Sequence, residues 1–581
     1  MYFVRQFSFW LSMMLLTFCY SCKDGNRGAV SSSKEAMKAS ILRCTPTSDK
    51  DWYTMRTKAP LLQGLEGIQF PITTSSQEAQ RYFNQGMMLS YGFNHAEAAR
   101  SFYQVIRLDS NCAMGYWGFA LVLGPNYNAG MEADNYERAY QAVQKAYALR
   151  QSSSPKERAL IEALLFRYVQ QPPSDRSQLD WAYAEAMKKV SATYASDPDI
   201  GALYAEALMD LHPWDLYEKG TRKPKPWTPA LVAKLEQLRQ THPLHPGAHH
   251  YYIHALEASA HPEKALASAD LLFKRVPGSG HLVHMPSHIY INTGNYHEGS
   301  LSNIEAVKVD SQYITACHAQ GVYPLAYYPH NYHFLAATAT LEGNSRWAWQ
   351  ASQKLQAGTA LDLLQKPEWA TLQHYYTIPY YIAVKFAFWD TILSLPAPDK
   401  RWVYATAIWH YARGLAALGK DQLPRARQEL QSLQQLSEDS VLQNLSIWGI
   451  NSMSDIVTIA RLVLEGEIGA AEKNYDKAIL KVSQAVAGED QLNYQEPPDW
   501  FFSVRHHLGE LYLQAGKYAE AEAVFKKDLE RLKKNGWALA GLYQALLLQD
   551  KPQAAAAVKA EFSEAWKYAD ISITSSSPLS R

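Results

Sequence analysis

The sequence lacks the short motifs that mark familiar enzyme classes. It has no HExxH zinc-protease pattern, no GxSxG nucleophile elbow, no Walker phosphate loop and no GxGxxG dinucleotide fingerprint. Of its 5 cysteines, at positions 19, 22, 44, 112 and 317, Cys19 and Cys22 have CxxC spacing but lie at the end of the N-terminal apolar run. The other three are far apart in the sequence, so neither a thiolate metal site nor a dithiol redox site is indicated in the rest of the chain. One disulfide is possible in an oxidising compartment, but the spacing does not identify its partners.

Net charge is also absent. Lys+Arg and Asp+Glu both number 56, which argues against a general nucleic-acid role because such a role needs a basic surface. Apolar residues make up 47% of the 581 residues, so the chain is expected to fold. No stretch alternates apolar and polar residues over the length of a strand, which favours an all-α protein.

A single apolar run stands at the N-terminus, and it is too short to span a bilayer. It is followed by Cys22, and residues 1–22 resemble a bacterial lipoprotein signal in which this cysteine is lipidated, with an ordinary cleaved secretory signal as the alternative. Lys23 and Asp24 resemble the charged export tag of Bacteroidetes surface lipoproteins. We therefore expect a cell-envelope location, in the outer membrane or facing the periplasm, with a lipid anchor as the only membrane attachment.

Helical periodicity begins at Gln77. Tyr82, Gly86, Ala98 and Phe102 match positions 4, 8, 20 and 24 of the tetratricopeptide repeat (TPR), where a small residue lets two helices approach and an aromatic ring fills the gap. Similar patterns recur along the chain and predict an α-solenoid of stacked helix-turn-helix units. The predicted organisation is a signal (1–22), a flexible tether (23–75), N-terminal repeats (76–241), central histidine-rich repeats (242–400), C-terminal repeats (401–570) and a disordered tail (571–581).

The central repeats carry regularly spaced histidines. His250 and His254 are four residues apart, and His284 and His288 repeat the pair 34 residues later. A spacing of four places two side chains on one helical face, and 34 residues is the TPR period. The two pairs are therefore expected on equivalent faces of neighbouring repeats.

Alignment of three consecutive repeats extends the pattern to three positions of the first helix that line TPR grooves. Position 5 holds His250, His284 and His333; position 9 holds His254, His288 and Ala337; position 2 holds Gly247, His281 and His330. A fourth, weaker repeat has His374 at position 2, and the C-terminal repeat has His506 at position 5 and Glu510 at position 9.

Three ordinary explanations account for such histidines. They can be isolated packing residues, members of a polar network that fixes how the repeats stack, or the lining of a groove that binds a protein, a peptide or an acidic ligand. Further groove residues are predicted on the same basis, namely His281, His374, Trp214, Asp215, Tyr328, His506 and Glu510.

The alternative is a transition-metal site. Imidazole is the commonest protein metal ligand, and first helices of adjacent repeats lie about 8–10 Å apart, so histidines at equal depth can converge on one or two ions. The candidate ligands are His250, His254, His284, His288, His330 and His333. Nitrogen ligands without thiolate suit zinc, copper, iron or nickel.

Glu257 lies three residues after His254, on the same helical face. It is a candidate ligand, hydrogen-bond acceptor behind a ligand, or general base. It is the only base that the spacing identifies, and without a recognised motif the sequence favours a binding protein over an enzyme.

Several long phrases, among them YFNQGMMLSYGFNHAEAARSF, HPGAHHYYIHALEAS and HLVHMPSHIYINTGNY, resemble a group of bacterial TPR proteins described only by their repeats. This resemblance covers roughly residues 77–560 and implies a TPR solenoid without supplying an activity. The first functional expectation is thus an envelope scaffold whose concave groove binds a protein, peptide or small ligand, and the second is a metal-binding protein.

Overall fold

The computed structural model describes residues 58–317 and 323–580, which fall within one unit, Cys44–Arg581. The predicted signal, Cys22 and residues 23–57 of the predicted tether lie outside the described residues. Nearly every described element is a helix, and consecutive helices pack on each other as hairpins. The predicted all-α solenoid of stacked helix-turn-helix units is confirmed.

The N-terminal repeats contain eight helices in the described chain. These are α1 (Gln77–Tyr91), α2 (His95–Leu108), α3 (Ala113–Leu123), α4 (Asn135–Leu149), α5 (Pro155–Leu164), α6 (Ser177–Thr193), α7 (Pro198–Met209) and α8 (Thr228–Thr241). Phe102 shows why the chain stacks as it does, because its ring lies where a Cβ on Gly86 would come within 2.7 Å. Glycine lets α1 and α2 approach closely, and the aromatic side chain fills the space, as the repeat pattern predicts.

The central repeats supply the histidines. Their helices are α9 (Pro246–Glu257), α10 (Leu266–Arg275), α11 (Gly280–His284), α12 (Pro286–Thr293), α13 (Tyr296–Cys317), α14 (Tyr328–Leu341), α15 (Ser345–Gly358), α16 (Thr371–Lys385) and α17 (Trp389–Ser394). One turn of π-helix, Tyr323–Tyr327, leads into α14. Pro286 divides the expected single helix into α11 and α12, because a proline nitrogen has no hydrogen to donate to the preceding turn.

The C-terminal repeats complete the described chain. They comprise α18 (Val403–Gly419), α19 (Leu423–Ser437), α20 (Met453–Ala471), α21 (Tyr475–Asp490), α22 (Arg505–Gln514), α23 (Tyr518–Arg531), α24 (Gly536–Leu548) and α25 (Pro552–Ala565). A small antiparallel ribbon pairs β1 (Ser446–Ile447) with β2 (Asn451–Ser452).

The C-terminal repeats fold back onto the central ones. Tyr296 donates a hydrogen bond from its hydroxyl to the carbonyl of Lys533 at 2.7 Å, and the Trp537 indole nitrogen donates to the carbonyl of Thr340 at 3.0 Å. The histidine face therefore lies inside the protein, whereas the sequence predicts an open concave groove. Local repeat patterns carry no information about contacts between residues that are some 200 positions apart.

Two segments are more ordered than the sequence predicts. Residues 58–75, assigned to a flexible tether, pack onto the first repeats: Phe70 is fully buried, and the Leu62 nitrogen donates to Gln85 Oε1 at 2.7 Å. Residues 571–580, assigned to a disordered tail, place the buried Ser576 against α16, where Lys385 Nζ donates to its carbonyl at 3.1 Å. Serine-rich composition suggests disorder, but buried polar partners hold these backbone groups.

None of the helices in residues 58–317 and 323–580 has both the length and the apolar character needed to cross a membrane. Cys112 and Cys317 are both buried and free, so they do not form the disulfide that the composition allows with each other.

Candidate metal centre

Helix α9 is the element around which the histidines gather. It contacts α1, α7, α10 and α12, so every residue from Pro246 to Glu257 is buried. His245 precedes its first residue and caps it, because His245 Nδ1 accepts a hydrogen bond from the Ala248 nitrogen at 3.1 Å. His250 and His254 follow on one face, as the spacing of four predicts.

The first cluster, site A, consists of His250, His254 and His281. One ring nitrogen from each lies within 4.8 Å of the others, and all three residues are buried. His250 Nδ1 lies 2.6 Å from the carbonyl of Tyr91, and His254 Nδ1 lies 2.7 Å from Glu257 Oε1. Both partners are oxygen acceptors, so each Nδ1 carries the hydrogen and each Nε2 has a free lone pair.

Among residues 58–317 and 323–580, no group hydrogen-bonds to the Nε2 atoms of site A. In all three histidines, this atom is buried and unpaired. An unpaired buried polar atom costs about 1–3 kcal/mol. Three such atoms in one cluster, two of them with a defined free lone pair, are the arrangement that a bound cation would satisfy.

The second cluster, site B, consists of His284, His288 and His330. Their ring nitrogens also lie within 4.8 Å of one another, and His330 is half-buried. His284 Nδ1 is 2.7 Å from Asn303 Oδ1, and His288 Nδ1 is 2.5 Å from Glu257 Oε2. With both Nδ1 atoms donating, the Nε2 atoms of His284 and His288 face each other at 2.9 Å with a lone pair on each. Two facing lone pairs repel unless a proton or a metal ion lies between them.

Glu257 connects the two sites. One carboxylate oxygen accepts from His254 of site A and the other accepts from His288 of site B. The rings of these two histidines lie 5.7 Å apart between centroids. Of the three roles predicted for Glu257, the geometry fits the acceptor that orients ligands from behind.

The assignment of Glu257 as a general base does not fit its surroundings. Burial by itself raises the pKa of this carboxyl, but the adjacent His288 and His254 outweigh that effect and lower the pKa to about 2. A base that works near neutral pH needs a pKa near 7. Both oxygens are also already engaged by imidazole N–H groups.

Burial lowers the pKa of the three histidines of site A and of His284 and His330 in site B. The pKa lies below the ordinary value for His254, and well below it for His250, His281, His284 and His330. Desolvation is the largest cause in each, and neighbouring histidines add to it in every case. These imidazoles are neutral at physiological pH, which is the form that binds metal.

Both sites follow one rule of repeat positions. Each combines positions 5 and 9 of one repeat with position 2 of the next: His250, His254 and His281 in site A, then His284, His288 and His330 in site B. The sequence predicts instead that the two pairs meet each other, with His281 assigned to a ligand groove. The difference arises because the first turn of the following repeat's helix lies against each pair. That turn carries His281 in α11 and His330 in α14.

The next repeat has only two of the three histidines. His333 and His374 lie 5.3 Å apart between ring centroids, and Ala337 occupies position 9. Both ring nitrogens of His333 and the Nε2 of His374 are buried and have no hydrogen-bond partner in the described part of the chain. His333, a predicted ligand, is therefore outside sites A and B.

The other predicted groove residues do not form one surface. Trp214 lies beside site A, its ring centroid 5.9 Å from that of His254. Asp215 is paired with Lys225 on the exposed side, and Tyr328 hydrogen-bonds Tyr332 at 3.3 Å.

His506 and Glu510 belong to a separate cluster in the C-terminal repeats. His506 Nδ1 is 2.9 Å from Lys385 Nζ, and Ser575 Oγ donates to Glu510 Oε2 at 2.7 Å. Both residues hydrogen-bond with this chain's own C-terminal segment, His506 through its carbonyl to Ser576 and Glu510 through its carboxylate to Ser575.

Four site residues are missing from the sequence-based prediction. These are Tyr91, whose carbonyl holds His250; Phe93 and Phe334, whose rings lie against the histidines; and Asn303. A signal existed only for Asn303, which stands at repeat position 24, where the first repeat has Phe102. A polar residue at a position that normally holds an aromatic core residue indicates a buried polar partner.

No family model matches this sequence, and no curated protein matches it. Among solved structures, the human IFIT1 dimer with m7Gppp-AAAA is similar, with 12% identity over 91% of this chain and 99% of that chain and a TM-score of 0.31. Yeast Tom70 has 11% identity over 84% and 90% of the two chains, with a TM-score of 0.26. The P58(IPK) TPR domain has 13% identity over 82% and 99%, with a TM-score of 0.20. At this level of similarity, the matches say nothing about what this chain binds.

Proposed function

We propose that this protein binds transition-metal ions at sites A and B. The observation that supports this most directly is the trio of buried, unpaired Nε2 atoms in site A, which lie within 4.8 Å of one another. A metal ion would use the lone pairs that the protein itself leaves without partners.

A polar network that only fixes repeat packing explains the site less well. Such a network satisfies its members, since an unmade buried hydrogen bond costs more than a made one contributes. Here the Nδ1 atoms of His250, His254, His284 and His288 are each hydrogen-bonded to an oxygen. Among the described residues, the Nε2 atoms of these four histidines have no hydrogen-bond partner other than the nitrogen of another histidine. This is the usual arrangement of metal-binding histidines, in which the second nitrogen is held by an oxygen.

The ligand set suits zinc, copper, iron or nickel. All six ligand atoms are imidazole nitrogens, and these metals bind such atoms well, whereas calcium and magnesium prefer oxygen. In both sites the third ligand comes from the following repeat, so metal binding would also tie neighbouring repeats together.

Metal analysis of the purified chain tests this proposal. The protein is stripped with chelator, loaded separately with zinc and copper at neutral pH, desalted and analysed by plasma mass spectrometry. We expect two ions per chain, falling to none when His254→Ala and His288→Ala are combined. His261→Ala is the matched control, because this histidine is exposed and pairs only with Glu263. Failure of the wild type to retain either metal would refute the proposal.

A second candidate function is peptide binding by the C-terminal repeats. The observation that favours it is Ser575–Ser577, which lie buried along α16 and α22 and bond to Lys385, His506 and Glu510. The repeats thus already hold a segment through its backbone and small side chains, and a separate peptide of the same sequence would make the same contacts. A chain ending at residue 570 should bind the peptide ISITSSSPLS, measured by fluorescence anisotropy, and should lose it when Glu510→Ala is introduced.

The location and the partners of the chain remain proposals from the sequence. We propose an envelope lipoprotein anchored at Cys22, with a secreted protein as the alternative. Metabolic labelling with palmitate, compared with a Cys22→Ser variant, tests the anchor. The proposal that nucleic acid is not a partner rests on the balanced charge alone, and filter binding at low salt checks it.

A further inference from the structure

Sites A and B lie against each other inside the protein. The ring centroids of His254 and His288 are 5.7 Å apart, and those of His281 and His284 are 5.9 Å apart. Each of these pairs has one member in each site. Two ions bound there would be close neighbours, with Glu257 hydrogen-bonded to a ligand of each.

The six ligands provide no negative charge. An imidazole that binds through its lone pair is neutral, so an ion brings its whole charge into the interior. The carboxylate that contacts the ligands is Glu257. A second, Glu496, is bound by Asn292 Nδ2 at 2.6 Å, and Asn292 lies one turn after His288 on α12. Even with both carboxylates ionised, these groups neutralise two positive charges and no more.

Aromatic side chains form much of the remaining lining, including Tyr127 beside His254 and Tyr327 beside His281. Phe93 lies 4.6 Å from His250 and 5.8 Å from His281 between ring centroids, on the side of site A. Phe334 lies 4.8 Å from His284 and 4.6 Å from His288, on the side of site B. The two phenylalanine rings neither solvate an ion nor hold a compensating anion, and burying uncompensated charge costs several kcal/mol per ion.

The charge of the two ions, compared with that of the two carboxylates, then distinguishes divalent from monovalent metals. Two divalent ions would bring four positive charges against two carboxylates, while two monovalent ions would bring two. Among the metals that suit imidazole, copper is the one with a stable monovalent state. Cuprous ion also accepts three ligands without requiring a fourth, which matches three histidines per site.

We propose that sites A and B together hold a pair of cuprous ions. This rests on the proposed metal-binding function and adds the identity, the charge and the number of the ions. Each site contributes three imidazoles, the two carboxylates balance the charge, and the half-buried His330 is the ligand through which an ion reaches the interior.

Competition titration under anaerobic conditions tests the pair. The chelator-stripped full chain is titrated with cuprous ion in the presence of bicinchoninate, and separately with zinc ion in the presence of a zinc-sensitive dye. We expect two cuprous ions per chain, bound more tightly than two zinc ions. His281→Ala should leave one cuprous ion by removing a ligand of site A, and His330→Ala should do the same at site B. His261→Ala should still bind two.

Each outcome decides a specific point. Two zinc ions bound more tightly than cuprous ion would overturn the cuprous pair and leave the metal-binding function standing. One cuprous ion in the wild type would overturn the pair as well. If neither metal bound, both this inference and the proposed function would fall. The wild-type titration alone gives these answers, so they hold even where an alanine variant does not fold.

Discussion

His288 Nδ1 lies 2.5 Å from Glu257 Oε2, although the two residues belong to different repeats. The other oxygen of the same carboxylate holds His254. One acidic side chain thus sets the ring orientation of a ligand in each site. This shared acceptor gives the first prediction.

Glu257→Gln should impair one of the two sites selectively. The amide retains one oxygen acceptor, but its nitrogen donates, so the histidine facing that nitrogen must carry its hydrogen on Nε2 and can no longer bind metal there. Affinity at that site should fall by about 10–100-fold. Calorimetric titration should show two classes of site in the variant. Glu263→Gln is the control, because this residue is exposed and pairs with His261; equal behaviour of the two variants would contradict the prediction.

Ala337→His should create a third metal site. Ala337 stands at the one position of the next repeat where the pattern lacks a histidine, beside the unpaired nitrogens of His333 and His374. It lines a small cavity with Ile291, Leu341 and Phe501. Metal analysis should give three ions per chain in place of two. Ala336→His is the comparison, since it lies on the same helix α14 but on another face.

Acid should destabilise the metal-free protein. Burial holds the pKa of His250, His281, His284 and His330 well below the usual 6.5. Between the folded pKa values and 6.5, the unfolded chain binds more protons, so the free energy of unfolding rises with pH. The stability is complete above pH 6.5 and is lost as the pH falls below it.

Urea denaturation in the presence of chelator, at pH 7.5 and pH 5.5, measures this effect. The midpoint should be lower at pH 5.5, and the difference should shrink when His281→Ala removes one of the groups. A midpoint that is equal or higher at pH 5.5 would count against buried neutral histidines.

Gly509→Val should weaken the C-terminal repeats. A Cβ at Gly509 would lie 2.3 Å from the ring of Phe525, and a Cβ at Gly541 on the other side would lie equally close, so the ring cannot move away. Overpacking of this kind costs about 2–3 kcal/mol. Gly130→Val, at an exposed glycine with nothing within 4 Å of its Cβ position, should change stability by about 0.5 kcal/mol or less. Urea midpoints compare the two.

The sequence predicts the solenoid well because its information is local. Gly86 and Phe102 fix how one helix meets the next, and the 34-residue period repeats that relationship. The same periodicity places His250 with His254 and His284 with His288. It does not reveal that His281 and His330 complete the two sites, because this depends on how far the first turn of one helix reaches toward the preceding one.

The groups that hydrogen-bond to the ligand histidines were even harder to predict from the sequence. The carbonyl of Tyr91, which holds His250, has no sequence signature at all, since every residue has a carbonyl. The burial of the whole face arises from contacts such as Trp537 with Thr340, which join residues 197 positions apart. Repeat alignment cannot show such contacts.

The bonds from Tyr296 to Lys533 and from Trp537 to Thr340 have a consequence for how the chain comes apart. An open row of repeats can lose its terminal units one after another, because each unit touches only its neighbours. Here the C-terminal repeats are hydrogen-bonded to the central repeats, so they cannot unfold without exposing the interior that holds the histidines. The central and C-terminal repeats are therefore expected to unfold together, in one cooperative transition.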